Sequence, residues 1–177
     1  MTKTIAVDVE GVLADSHEYA RRLSEEELPE EEMKSWGFSN DEYTNTFLGA
    51  LSDGWHNDWE SIAPVTESNR IAMILLNEFF EVHIVTTRTN ADDEIKSWLS
   101  KHEIPYDEFH STKTYKEDLG YDSYVDDNPH MVDSGVDLYL HDQSWNKHVR
   151  ANKRVRNLLE AATHLIINEE EETQALN

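Results

Sequence analysis

The sequence predicts an α/β fold of three layers, a mostly parallel sheet between helices, interrupted early by a small helical insert. Three observations carry this expectation. The chain starts almost at once on a short apolar run, Ile5-Ala6-Val7, that ends in Asp8 and turns at Gly11. Strand-like and helix-like segments then alternate to the end, the pattern of parallel strands joined by right-handed crossovers. Between Ser16 and Pro64 that rhythm breaks into a stretch rich in acids and aromatics. A strand that delivers Asp8 to its C-terminal tip puts it where open α/β sheets bind their ligands.

The first strand is expected over Thr4–Asp8. In the insert, residues 17–63, the acidic run Glu25–Glu32 is broken by Leu28 and Pro29 and reads as a solvated face. Trp36, Phe38, Tyr43, Phe47, Trp55 and Trp59 follow, with Tyr43, Phe47, Leu48 and Leu51 at helical spacing. Thr66 is placed to cap a helix carrying Ile71, Ile74, Leu75 and Phe79. Val82–Thr86 reads as the second strand. Asn90 is placed to cap the next helix, with Asp92, Asp93 and Glu94 at its positive end and Ile95, Trp98, Leu99 and His102 on one face. Pro105 ends it. A short strand near Tyr106–Phe109 leads to a helix opening at Thr112-Lys113 and closing at Gly120. Ser123–Val125 runs as a strand into Asp126-Asp127-Asn128-Pro129, and Val136–Leu140 is the last strand expected. A final helix carries Val155, Leu158, Leu159, Ala162 and Ile166. The core is thus residues 1–16 and 64–168, the insert 17–63, and residues 169–177 an acidic, mobile tail.

Bulk properties exclude several classes. A chain of 177 residues builds one sizeable core. It holds no cysteine, so disulfides and thiolate metal sites are ruled out. No apolar run approaches the roughly 20 residues of a membrane span, and MTKTIAVDVEG lacks the apolar core of a signal peptide. A cytoplasmic protein is expected. The 37 acidic residues outnumber 15 basic ones, for a net charge of −22. Such a charge disfavours duplex DNA and long RNA, whose affinity comes from cations on the protein. It fits a surface adapted to high salt, where self-repulsion is screened; an ordinary acidic protein is the alternative.

Four groups of chemical interest fall at or beside strand ends, and a parallel sheet brings them all to one edge. They are Asp8 with Glu10, Thr86 with Thr87, Lys113, and Asp126 with Asp127. Together they supply a carboxylate nucleophile, hydroxyls for an oxyanion, a fixed cation and hard oxygen ligands for Mg²⁺. Phosphoryl transfer needs this equipment.

The same segments resemble the motifs of the haloacid dehalogenase (HAD) superfamily of phosphotransferases. DVEGVLADS resembles the first motif, usually D-x-D-G-[TV]-[LV]; HIVTTR resembles the second and YVDDNP the fourth, with Lys113 as the third. The core of that superfamily is Rossmann-like, and its 5′(3′)-deoxyribonucleotidase branch places a C1-type cap between the first two motifs, where residues 17–63 lie. Within the superfamily, these segments and the later HDQSWN, in which Ser144 stands where proline is usual, are similar to the 5′(3′)-deoxyribonucleotidase branch and its nucleotidases. The resemblance implies a phosphatase for small phosphorylated substrates, nucleoside monophosphates first, while hydropathy and charge argue against a membrane or a nucleic-acid polymer as partner. It implies Asp8 as nucleophile and Glu10 as acid/base. Thr86 and Thr87 hold the phosphoryl group, and Asp8, Asp126 and the backbone carbonyl of Glu10 ligate Mg²⁺ as cofactor.

One departure stands out: the superfamily has Asp where this chain has Glu10. The carboxyl is kept but sits one methylene further out, so a readjusted enzyme and a catalytically silent or repurposed module both remain open. Lys116, ten residues before Asp126, competes with Lys113 for the third motif; Lys113 is preferred because it opens the expected helix. Trp55, His56 and Trp59 fit a stack on a nucleobase or, more commonly, the core of the insert. Arg88 suits either a substrate phosphate or a salt bridge. The basic segment Lys147–Arg156 suits a phosphate-facing patch or, more readily, a helix start balanced by acids. The nine histidines show no spacing typical of a zinc site, and His130 reads as a loop residue.

Overall fold

The apolar runs become six short strands: β1 (Thr4–Val7), β2 (Glu81–Thr86), β3 (Glu108–Ser111), β4 (Ser123–Asp126), β5 (Leu138–His141) and β6 (Arg154–Val155). The structure, a computed structural model, describes residues 2–24 and 28–175. All neighbouring strands pair in parallel, in the order β3-β2-β1-β4-β5-β6. From β1 the chain winds outward through β2 to β3, then returns to lay β4 on the other side of β1. The crevice between β1 and β4 is therefore the topological switch point, where such sheets bind ligands. Asp8 follows β1 there, its N–H donating to the Val125 carbonyl at 3.0 Å.

Among the described residues, five α-helices surround the sheet: α1 (Ser16–Leu23), α2 (Asp41–Asp58), α3 (Asn69–Phe79), α4 (Asp92–Lys101) and α5 (Leu158–Ala175). One sheet face, with Ile5, Val7, Val82 and Ile84, packs on Met73 and Leu76 of α3, Trp98 and Leu99 of α4, and Leu158 and Leu165 of α5. The opposite face, with Ala6, Val85, Tyr124 and Leu140, packs on Met131 of the 3₁₀ turn Pro129–Asp133. Helices α1 and α2 lie between β1 and β2. Asn40 caps α2, its Oδ1 accepting the Tyr43 N–H at 2.9 Å. Gly54 of α2 lies against Tyr19 of α1, where a Cβ would fall 2.6 Å from the ring. Phe47, Leu51 and Trp55 join α2 to the main core, so the insert is packed onto the sheet domain rather than tethered to it.

Several local expectations shift. Helix α3 begins at Asn69, not after Thr66. The Asn69 amide is buried and donates to the Val12 and Leu13 carbonyls, and the Thr66 hydroxyl bonds to its Oδ1. Two loop carbonyls left in the interior need that donor. Asn90 does not cap α4, whose cap position is Ala91. Strand β3 starts two residues late because the Asp107 carboxylate first accepts the Val82 N–H at 2.7 Å. The helix expected from Thr112 shrinks to a 3₁₀ turn, Lys116–Leu119, closed by Gly120 in the left-handed region. Val155 lies in a sixth, two-residue strand rather than in the last helix. Residues 169–175, expected to be a mobile tail, continue α5, where Glu169 and Glu172 pair with Lys3 at 2.7 and 2.6 Å. Of the acidic run, Glu25, Glu26 and Glu27 lie outside the described residues. Glu30 and Glu31 are exposed in a 3₁₀ turn, and Glu32 accepts the Ser39 N–H.

Candidate active site

The edge of β1 and β4 gathers three buried carboxylates around one buried ammonium. Asp8 Oδ1 accepts the Val9 N–H at 2.7 Å and lies 2.7 Å from Lys116 Nζ. The same Nζ lies 2.7 Å from Asp126 Oδ2, while Asp126 Oδ1 accepts the Asn128 N–H at 2.9 Å. Asp127 Oδ2 accepts the indole N–H of Trp145 at 3.1 Å. Asp8, Asp126 and Asp127 each offer an oxygen, and the three atoms lie within 4.8 Å of one another.

The ammonium is Lys116 and not Lys113. Thr112 accepts the Thr114 N–H and holds residues 112–115 as a turn, so Lys113 stays exposed. The 3₁₀ turn starts only at Lys116, whose side chain enters the site. Burial pulls the Lys116 pKa down, but Asp126 and Asp8 outweigh it and the net shift is upward. Burial lifts Asp8; Lys116 pulls it back and Asp126 pushes it up again, leaving it at about 7. Asp127 is raised well above the usual carboxylate range, first by burial and then by Asp8 and Asp126. Three carboxylates facing one ammonium leave an excess of negative charge, and a hard divalent cation with oxygen ligands would neutralise it.

Glu10 stands apart from this cluster. Its Oε1 accepts Arg88 Nε at 2.8 Å and Trp55 Nε1 at 3.0 Å, so its side chain is not among the converging oxygens. Burial alone would raise its pKa; Arg88, His17 and Trp55 reverse that and hold it below the usual value. Thr86 is buried at the end of β2, its Oγ1 accepting the Arg88 N–H at 3.1 Å, and Thr87 is exposed on the pocket wall.

Gly11 fixes the geometry of the loop after β1. Its φ is +79°, and a Cβ there would sit 2.1 Å from Asp127 Oδ2 and 3.2 Å from the Trp145 ring. Gln143 Nε2 donates to the Gly11 carbonyl at 2.6 Å, and Asn146 Nδ2 donates to the Asp127 carbonyl at 2.8 Å. The HDQSWN segment therefore positions both the loop and Asp127. Its Ser144 donates to the Met33 carbonyl of the insert at 3.0 Å.

A cavity of about 380 Å³ opens above the carboxylates. Asp8, Glu10, Lys116 and Arg88 line its floor, and Trp36, Phe38 and Phe47 of the insert line its apolar wall. His17 lies between Phe47 and Trp145, at ring separations of 5.6 and 4.6 Å. The residues suggested by the sequence for base stacking lie elsewhere. Trp55 is fully buried edge-on to Trp98, His56 lies 3.5 Å from Glu94, and Trp59 lies under Lys101. In the basic segment, Arg154, Arg156 and Lys153 pair with Asp142, Glu160 and Asp137. His130, expected in a loop, lies exposed in the 3₁₀ turn Pro129–Asp133, its ring against Trp36.

Residues 2–171 match the family model described as "5' nucleotidase, deoxy (Pyrimidine), cytosolic type C protein". The chain belongs to this nucleotidase family. Among curated proteins it is similar to the 5′(3′)-deoxyribonucleotidases of Bacillus subtilis and Bacillus phage SPbeta. Each is 28% identical over 109 residues, covering 58% of this chain and 62% of the relative. The match thus spans less than two thirds of those proteins. Among solved structures, the chain resembles a haloacid dehalogenase-like hydrolase from Streptococcus pneumoniae (TM-score 0.65, 12% identity, 93% of this chain and 98% of that one). It also resembles a HAD-superfamily hydrolase of subfamily IA from Geobacter sulfurreducens (TM-score 0.59, 17% identity, 93% and 96%). Both likenesses establish the α/β core. Among the described residues, no helix is long and apolar enough to cross a membrane.

Proposed function

We propose that this member of the nucleotidase family is a Mg²⁺-dependent phosphomonoesterase that hydrolyses nucleoside monophosphates through a phosphoryl group carried on Asp8. The observation that carries the reading is the clamp of Lys116 between Asp8 and Asp126, with Asp127 completing the carboxylate cluster on the pocket floor. The family and the deoxyribonucleotidase relatives support the substrate class. So does the wall of Trp36, Phe38 and Phe47, which offers aromatic faces to a base. The roof formed by the insert favours small substrates over chain ends of a polymer. The charge of −22 favours work in concentrated salt, where self-repulsion is screened.

Asp8, Asp126 and Asp127 would hold the ion, an all-oxygen set suited to Mg²⁺. When bound, Mg²⁺ supplies positive charge that offsets the phosphoryl oxygens. Asp8 Oδ1 is held by Val9 N–H and Lys116, which leaves Oδ2 to attack phosphorus. The ester P–O bond breaks as the Asp–phosphorus bond forms, and Glu10 gives its proton to the leaving alkoxide. Glu10 then takes a proton from water as that water attacks the phosphoryl-Asp8, releasing inorganic phosphate and restoring the carboxylate. The Thr86 hydroxyl, nearby backbone N–H groups, Thr87 and Lys116 hold the phosphoryl oxygens during both steps. Arg88 holds Glu10 ionised before substrate binds; an arriving phosphate competes for that guanidinium and frees Glu10 to be protonated.

The commitment of Glu10 to both Arg88 and Trp55 also favours a second reading, a silent module in which this carboxylate is structural. A panel of 5′- and 3′-(deoxy)nucleotides, sugar phosphates and p-nitrophenyl phosphate, assayed with Mg²⁺ at low and high salt, separates the two. Turnover of nucleotides that falls sharply in Glu10→Gln supports the enzyme. Absence of turnover on every substrate supports the silent module.

A further inference from the structure

Two Glu-x-His pairs stand side by side at the edge of the sheet, Glu81-Val82-His83 on β2 and Glu108-Phe109-His110 on β3. The strands run parallel with His83 opposite Glu108. Alternate residues of a strand share a face, so these four side chains project from the same side of the sheet, that of Val85. The chain between β3 and β4 forms only a 3₁₀ turn, and this corner stays open: Glu108 and His110 are exposed, and His83 is nearly buried.

We propose that His83, Glu108 and His110 form a second cation site, for a zinc-type divalent ion, separate from the catalytic carboxylates. Glu108 Oε2 lies 2.9 Å from His110 Nε2 and 3.9 Å from His83 Nδ1, and the three donor atoms lie within 4.8 Å of one another. Ligands around a tetrahedral zinc stand roughly 3.3 Å apart, from bond lengths near 2.0–2.1 Å. Small rotations of two exposed side chains bring these donors to that spacing. Two imidazoles and a carboxylate suit a borderline ion such as Zn²⁺ or Co²⁺ far better than Mg²⁺. Three protein ligands leave a fourth position for water or another small ligand.

The surroundings of His83 support the assignment independently of the donor set. Its other nitrogen, Nε2, lies 3.0 Å from Glu81 Oε1. A carboxylate there keeps the proton on Nε2 and turns the Nδ1 lone pair toward Glu108 and His110, the arrangement that orients metal-binding histidines. Tyr121 Oη lies 3.1 Å from the same Nδ1 and occupies that lone pair when no ion is bound. The His83 and His110 rings stack at 5.4 Å with 17° between their planes, held ready on adjacent strands. The ligands come from two strands that pair only in the fold, so no single stretch of sequence carries a zinc-site spacing. An ion here would pin β3, the edge strand, to β2.

Zinc chloride titrated into the full chain with saturating Mg²⁺, followed by histidine ring-proton NMR and by competition with a chromophoric chelator, tests this. Expected is one bound equivalent that moves the resonances of both His83 and His110, retained in Asp126→Asn, where the catalytic carboxylates are weakened. His110→Ala removes that equivalent and leaves Mg²⁺-dependent turnover unchanged. Glu81→Gln, which alters only the partner of His83 Nε2, weakens zinc binding by about 10- to 100-fold. The proposal is overturned if zinc moves neither resonance or only one. It is equally overturned if zinc affinity is the same in His110→Ala and Glu108→Gln as in the wild type.

Discussion

Replacing Lys116 by Met removes the cation between Asp8 and Asp126 and keeps a side chain of similar length. Each of the two contacts, at 2.7 Å, is worth about 6 kcal/mol of Coulomb energy at an effective dielectric near 20. The cost of burying the ammonium offsets much of that. Removing one member of a buried ion pair costs about 3–5 kcal/mol in practice. Part of that loss is relieved when Asp8, already lifted to about 7, takes up a proton. Lys116→Met is therefore expected to lose about 3 kcal/mol of unfolding free energy at pH 8, measured by urea denaturation in EDTA. The sign of the pH dependence follows. Without the ammonium the ionised carboxylates destabilise the fold, so the deficit shrinks as pH falls to 6 and they protonate. Turnover should fall about 100-fold or more as the phosphoryl group loses a fixed cation. The exposed Lys113→Ala should stay within about 0.5 kcal/mol of wild type and keep its activity. A stable, active Lys116→Met, or a deficit that grows toward low pH, refutes the reasoning.

Gly11→Ala forces a Cβ onto Asp127 at a backbone angle that costs a side chain roughly 1–2 kcal/mol; Mg²⁺ affinity, read by turnover against metal concentration, should weaken at least about tenfold, and unchanged affinity would show that Asp127 is not a ligand. His141 is held at about 4 by burial, against about 6.5 when unfolded, so its neutral form contributes in full above pH 6.5 and is lost progressively down to pH 4. Wild type should lose about 2 kcal/mol more than His141→Gln between pH 8 and pH 5, measured by urea unfolding. Equal losses would mean that His141 titrates normally in the fold. The acidic surface predicts a melting temperature that rises between low salt and molar KCl; equal melts would leave the chain an ordinary acidic protein.

The edge that gathers the carboxylates was readable wherever an apolar run ended in a polar group, because a strand buried on both faces leaves that signature. Asp8, Thr86 and Asp126 follow such runs, and each falls at or just past a strand end. Lys113 rather than Lys116 is expected in the cluster because a short polar stretch between strands looks the same whether it folds as a helix or as a turn and a 3₁₀ segment, and only the latter sends Lys116 inward. The aromatic wall of the pocket was missed for a related reason. Helical spacing marks Phe47 and Leu51 as apolar but does not say which of the insert's rings face the core, as Trp55 does, and which line the cavity, as Trp36 does. The support of Asp127 by Trp145 and of Gly11 by Gln143 depends on contacts between residues far apart in the chain, which no local pattern encodes. In the sequence, the segment that carries them is marked only by its likeness to a motif. The same limit hid the pairing of His83 with His110, since strand register is set by the whole sheet.

Chemical trapping at position 8 looks for the phosphoryl-Asp8 intermediate itself. A deoxynucleoside monophosphate is mixed with the chain and Mg²⁺, quenched in acid during turnover and reduced with borohydride, and the peptides are read by mass spectrometry. Asp8, and no other carboxylate, should be converted to homoserine in step with phosphate release. Steady release of phosphate with position 8 unmodified, or modification at another carboxylate, would contradict it.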